Sequence, residues 1–145
     1  MAERTERALL NHLIEMCRDG QRGFAAAAEQ VQTPELRTLF VQLADQRRRF
    51  ADALLPHAQR LGGESDETGT SAAALHRAWM QVKGRLARDR DAAILAEAVR
   101  GERFALAAYD DAVHDMLPPD ARVLIEAQDE ALHTAIGQIQ SAGHE

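Results

Sequence analysis

Cysteine is almost missing from this 145-residue chain, where Cys17 stands alone. One thiol rules out an internal disulfide and fits a reducing, cytoplasmic setting. Aromatic residues are scarce as well, at 4%, with one Trp and one Tyr. With β-branched residues also few, no stretch carries the signature of a strand. Positive charge is the minority: 17 Lys and Arg against 23 Asp and Glu, a net −6. No basic stripe emerges from the surrounding acids, which argues against a nucleic-acid partner. No apolar run approaches the roughly 20 residues that cross a bilayer. The opening MAERTERALL mixes acids with its basic residues and lacks the apolar core of a signal peptide. The expectation is a soluble cytoplasmic protein with no membrane partner.

What the chain does hold is helix-forming. Alanine runs at 25–28 and 72–74 accompany abundant Leu, Gln, Glu and Arg. The length suits one domain, 1–145, with a sizeable core. Hydrophobic spacing predicts helices over about 5–31, 34–61, 72–87, 91–116 and 119–141. The first carries Leu10, Leu13, Cys17, Gly20, Phe24, Ala27 and Val31 at spacings of three and four, a heptad seam. The second opens on Thr33, Pro34 and Glu35, an N-cap followed by proline in the first turn. Pro56 within it predicts a kink or a weakened last turn. GGESDETGTS at 62–71 reads as a solvated loop, and Leu117, Pro118 and Pro119 end the fourth segment.

Short connections make the first two and the last two long segments antiparallel hairpins. The loop and short helix between them can carry the chain back along its own length, so the second and fourth segments would be parallel. The fold class is therefore all-α: a ferritin-like four-helix bundle with a short additional crossover helix. An all-antiparallel bundle with the short helix appended is the alternative.

The strings LNHLIEMCRDGQRGF (10–24), PELRTLF (34–40), QRRRF (46–50), LHRAWM (75–80), RGERFALAAY (100–109) and LPPDARVLIEAQ (117–128) resemble an uncharacterised bacterial family. It is a domain-of-unknown-function group of the ferritin-like superfamily, and the resemblance covers most of residues 8–130. It implies the same bundle and vaguely suggests stress physiology, but brings no established activity.

A ferritin-like fold raises the question of metal. Di-iron bundles use one Glu on each of two helices and Glu-x-x-His on each of the other two, all directed inward. Glu130 and His133 have that spacing. With about 100° per residue, however, Glu130 falls opposite the apolar arc of Leu124, Ile125, Leu132, Ala135, Ile136 and Ile139, and His133 lies about 120° from its centre. The pair reads as a solvated ionic pair. The second helix offers no Glu-x-x-His, and Glu15 points away from the first seam. No metal and no other cofactor is expected.

The same geometry directs other polar residues inward. Glu102 sits in the heptad Leu95, Ala98, Glu102, Ala105, Tyr109, Ala112, Met116. Arg47 lies near the centre of the arc of Leu36, Phe40, Leu43, Phe50, Leu54 and Leu61, with Arg48 and Arg49 further out. Gln128 occupies mid-arc on the last helix. All three lie near the middle of their helices, and Gly20 leaves room beside them on the first. Arg47 and Glu102, supported by Gln128 and the Tyr109 hydroxyl, are expected to form a buried polar layer where a ferritin relative keeps its metals. The opposing reading has Arg47 reaching out to solvent along a groove.

Cys17 reads as a small core thiol with no His beside it. Trp79 is expected to anchor the crossover helix, with His76 and Arg77 reaching Glu15 and Asp19. His12, His57, His114 and His144 share no face and read as surface residues. Phe104 falls outside its helix's seam, an exposed aromatic that hints at a homo-oligomer, a dimer through a helix face. The favoured function is a non-enzymatic structural or interaction role. The alternative is a metal-binding protein or di-metal oxidase using Glu102, Gln128 and acids near the crossover.

Overall fold

The computed structural model describes residues 2–62, 87–115 and 117–143. Among them all regular structure is helical: α1 Ala2–Gln30, α2 Pro34–Arg60, α3 Ala87–Val113 and α4 Pro119–Ala142. The short helix expected over 72–87, with His76, Arg77 and Trp79, falls outside the described residues except for Ala87, which opens α3.

Each helix is one-sided in the way its sequence dictates. On α1, Leu10, Leu13, Ile14, Cys17, Phe24, Ala27 and Ala28 are buried, and Val31 just beyond its end continues the row. On α2 the buried row is Leu36, Phe40, Leu43, Arg47, Ala51, Leu54 and Ala58, steps of three and four that hold one face inward. Pro56 does not stop α2, which continues to Arg60. Helix α3 is displaced from the expected 91–116: it is helical from Ala87 and ends at Val113. Two tight turns, His114 N–H to Asp111 C=O and Asp115 N–H to Ala112 C=O, close it ahead of Pro118.

Polar contacts at the helix ends fix the direction of each helix. Asp91, near the start of α3, accepts hydrogen bonds from the backbone N–H groups of Gln32 (2.9 Å) and Thr33 (3.2 Å) and from the Thr33 hydroxyl (2.8 Å). The α1–α2 turn and the start of α3 thus share one end. At the other end Arg7 donates to the carbonyl of Gly62 at 3.2 Å, and Arg60 of α2 pairs with Asp120 of α4 at 2.9 Å. Gly62, with φ +105°, holds a backbone conformation suited to glycine. It follows that α2 and α3 run in the same direction, with α1 and α4 opposed to both. α2 ends and α3 begins at opposite ends of the molecule.

Helix α1 packs against α2 and α3, and α4 packs against the same two. The backbones of α2 and α3 face each other across a diagonal without touching, as do those of α1 and α4. Buried apolar residues form two clusters along this axis. One, towards the α1–α2 turn, includes Phe24, Leu36, Phe40, Leu43, Ile94 and Ile139. The other includes Leu10, Leu13, Ile14, Cys17, Leu54, Tyr109, Ile125 and Leu132. Burying side chains of this size contributes about 1.5–3 kcal/mol each.

Candidate functional site

Between the two clusters lies a pair of charges. Arg47 is 1% exposed and Glu102 3%. Arg47 Nη1 donates to Glu102 Oε1 at 2.5 Å, and Nη2 donates to Oε2, so the guanidinium clasps the carboxylate with two parallel bonds. The Nε donor reaches the Gln46 side-chain oxygen at 3.2 Å. Phe24 and Phe50 present their rings to the guanidinium carbon at 5.3 and 5.9 Å, two cation–π contacts. Phe24 in turn stacks on Phe40, centroids 5.9 Å apart, which fixes the ring under the cation. Taking both ions out of water is expensive and is offset only by close, two-point pairing of this kind.

Gly20 makes the space. A Cβ at that position would lie 3.3 Å from Cγ of Arg47. The helical phase of three consecutive arginines has divided them. Arg47 is enclosed, whereas Arg48 and Arg49 are 50% and 64% exposed at their side chains and pair with Asp45 and Asp52. Exposed pairs of that kind stabilise little.

A second set of hydrogen bonds lies in the adjoining apolar cluster. The Tyr109 hydroxyl donates to Gln128 Oε1 at 2.7 Å. Its oxygen lies 3.0 Å from Cys17 Sγ, so the thiol must be the donor there, the phenol having only one proton. Gln128 Nε2 continues to the Phe50 carbonyl at 3.4 Å. The chain from Cys17 through Tyr109 and Gln128 to Phe50 crosses all four helices with every donor pointing the same way. Gln128 and Tyr109 therefore bond each other, and the guanidinium turns to Glu102 and Gln46 instead. Burial pushes the Cys17 thiol up to about 11, outweighing the opposing effects of the Tyr109 hydrogen bond and of Arg47. Burial also raises Tyr109 well above the ordinary phenol range. A thiol held neutral in this way is a poor nucleophile.

The acids and histidines read from the sequence are distributed differently. His133 is 55% exposed at its side chain, but its acidic neighbours are Asp110 at 3.5 Å and Asp129 at 3.7 Å rather than Glu130. An i,i+4 step aligns Asp129 with His133 better than the i,i+3 step aligns Glu130. Asp129 faces Asp110 across the α3–α4 contact, and burial, with that carboxyl next, raises it to about 6. His57 is no open surface residue: its side chain is 15% exposed and lies against Arg60 and Asp120. His12 and His114 are exposed. Asp19 pairs with Arg22 one turn on, and Glu15 is half-buried on α1. Anchoring by Trp79, His76 and Arg77 falls outside the described residues. Phe104 is 71% exposed.

Sequence reasoning missed the Asp110, Asp129 and His133 group and the clamp by Asp91. The spacing of Asp129 and His133 was visible in the sequence; the approach of Asp110 from another helix was not. No helix of the described residues is long and apolar enough to cross a membrane. Residues 6–115 match the family described as Domain of unknown function (DUF2383), and the chain belongs to that family. Cys17, Arg47, Glu102 and Tyr109 lie within the matched segment, and Gln128 lies beyond it. No curated protein sequence matches the chain.

Proposed function

We propose that this member of the family is a ferritin-like helical bundle with a non-enzymatic, structural or interaction role, its central ion pair standing where metal-bearing bundles hold their ions. The observation that carries this reading is the enclosure of Arg47 against Glu102 midway along the four helices. A guanidinium is a permanent cation at any physiological pH, so it repels a second cation from the same space. Glu102 is the one carboxylate buried among the described residues, and both of its oxygens are engaged. Di-metal bundles need several inward carboxylates and imidazoles. The parallel course of α2 and α3 supports the ferritin-like part of the reading. The exposed ring of Phe104 supports self-association through a helix face, and we assign the role to assembly in a bacterial stress response.

The test is to purify the protein from cells grown with excess iron and manganese and to count metal after chelator treatment. We expect fewer than two ions per chain and no acceleration of Fe2+ oxidation. Two retained ions per chain, lost on Glu102→Gln, would overturn the reading in favour of an oxidase-type centre. Sedimentation of the wild type and of Phe104→Ser tests self-association: the variant should dissociate more readily.

A further inference from the structure

We propose that Asp110, Asp129 and His133 form a binding site for one divalent transition-metal ion on the α3–α4 face. This site is separate from the central ion pair and does not depend on the role proposed above.

Convergence of three donors is the first ground. His133 Nε2 lies 3.5 Å from Asp110 Oδ1 and 3.7 Å from Asp129 Oδ2, and one ligand atom from each residue falls within 4.8 Å of the others. Donors about 2.1 Å from a tetrahedral or octahedral ion sit roughly 3.0–3.4 Å from one another. The group is thus within small side-chain adjustments of a coordinating arrangement. Asp129 and His133 share one face of α4 through their i,i+4 spacing. Asp110 follows Tyr109 on α3 as Asp129 follows Gln128 on α4. The 2.7 Å bond from Tyr109 to Gln128 therefore holds the two helices in register immediately beside the three donors.

An unmet need for a partner is the second ground. Asp129 Oδ1 is enclosed with no N–H donor, the hydrogen-bonding neighbour of the carboxyl being the like-charged Asp110, while the side chain is 17% exposed. A buried acceptor left unpaired is costly, and a native example calls for an explanation. The two carboxyls face each other, and the salt bridges of both run to His133 rather than to an arginine or lysine. A bound cation would remove the repulsion between the two carboxyls.

Ligand type sets the class of ion. One imidazole nitrogen with two carboxylate oxygens suits zinc, manganese or cobalt, whereas magnesium and calcium prefer oxygen alone. Three protein donors on a half-open face leave positions for water. Such an ion would tie α4, which lies beyond the family-matched segment, to α3 within it.

Titration calorimetry of the untagged protein with Zn2+, Mn2+ and Mg2+ tests the site. We expect one Zn2+ or Mn2+ per chain, a raised melting temperature with either, and markedly weaker Mg2+ binding. His133→Ala and Asp110→Asn, both at exposed or half-exposed positions, should each weaken binding by at least about tenfold. His12→Ala on α1 should leave it unchanged. In the Co2+-loaded protein, the visible absorption bands should shift in His133→Ala. Absence of stoichiometric binding, or binding that survives both substitutions, would overturn the proposal.

Discussion

Arg47 of α2 and Glu102 of α3 bond each other across the diagonal of four helices, joining two elements whose backbones do not approach. Only two long side chains laid end to end can span that gap. Their meeting separates the apolar interior into two clusters and ties together the two helices that run in the same direction. Because each charge is buried, the pair acts as a unit: either partner alone is a liability in that position.

Removing one partner should therefore cost more than removing both. Arg47→Met and Glu102→Gln are each expected to destabilise the fold by on the order of 3–5 kcal/mol in urea denaturation. The double variant Arg47→Met/Glu102→Gln should be more stable than either single one, giving a large coupling energy in the double-mutant cycle. Two single variants within about 0.5 kcal/mol of wild type would show that the pair is wet.

Gly20 is expected to resist a change that helices ordinarily welcome. Replacing a mid-helix glycine by alanine gains roughly 0.5–1 kcal/mol. At Gly20 the new methyl would press at 3.3 Å on Cγ of an arginine pinned by two rings and a carboxylate. Gly20→Ala should be neutral or destabilising. Gly137→Ala, with nothing within 4 Å of the added carbon, should raise the melting temperature.

Cys17 gives a pH prediction. Its folded-state value of about 11 exceeds the ordinary 9.0, so the native chain holds the thiol proton more tightly than the unfolded chain. This contribution is complete below about 9 and is lost as pH rises through about 11. Its full size is on the order of 2–3 kcal/mol. Wild type should lose more stability than Cys17→Ala over that window, measured by denaturation at several pH values. Iodoacetamide should label the native thiol far more slowly than the urea-unfolded one; equal rates would contradict its enclosure.

Asp91 should matter more than an exposed acid usually does. Its carboxylate takes three hydrogen bonds from the α1–α2 turn, two of them from backbone N–H groups at the start of α2. Asp91→Ala is expected to cost about 1–2 kcal/mol, and Asp91→Asn, with one acceptor oxygen, somewhat less. Amide hydrogen exchange at Gln32 and Thr33 should accelerate in both variants.

Much of this architecture was legible in the residues themselves. Apolar steps of three and four define the helix faces, and proline after Thr33 and Leu117 marks where α2 and α4 open. Phase along a helix is a local quantity, set by about 100° per residue. It was therefore enough to turn Arg47, Glu102 and Gln128 inward and to leave Arg48, Arg49 and Glu130 outside. Which inward residues meet is a different matter, because it depends on how far each helix slides along its neighbours and how far each side chain reaches. Only the packed structure decided that Gln128 bonds Tyr109 and Phe50 instead of the guanidinium, and that the Cys17 thiol feeds the same chain. The same limit applies to Asp91: spacing puts the start of a helix near residue 91, and nothing local shows that this carboxylate serves another turn. It applies equally to His133, for which local spacing offers Glu130 while one of its acids arrives from α3.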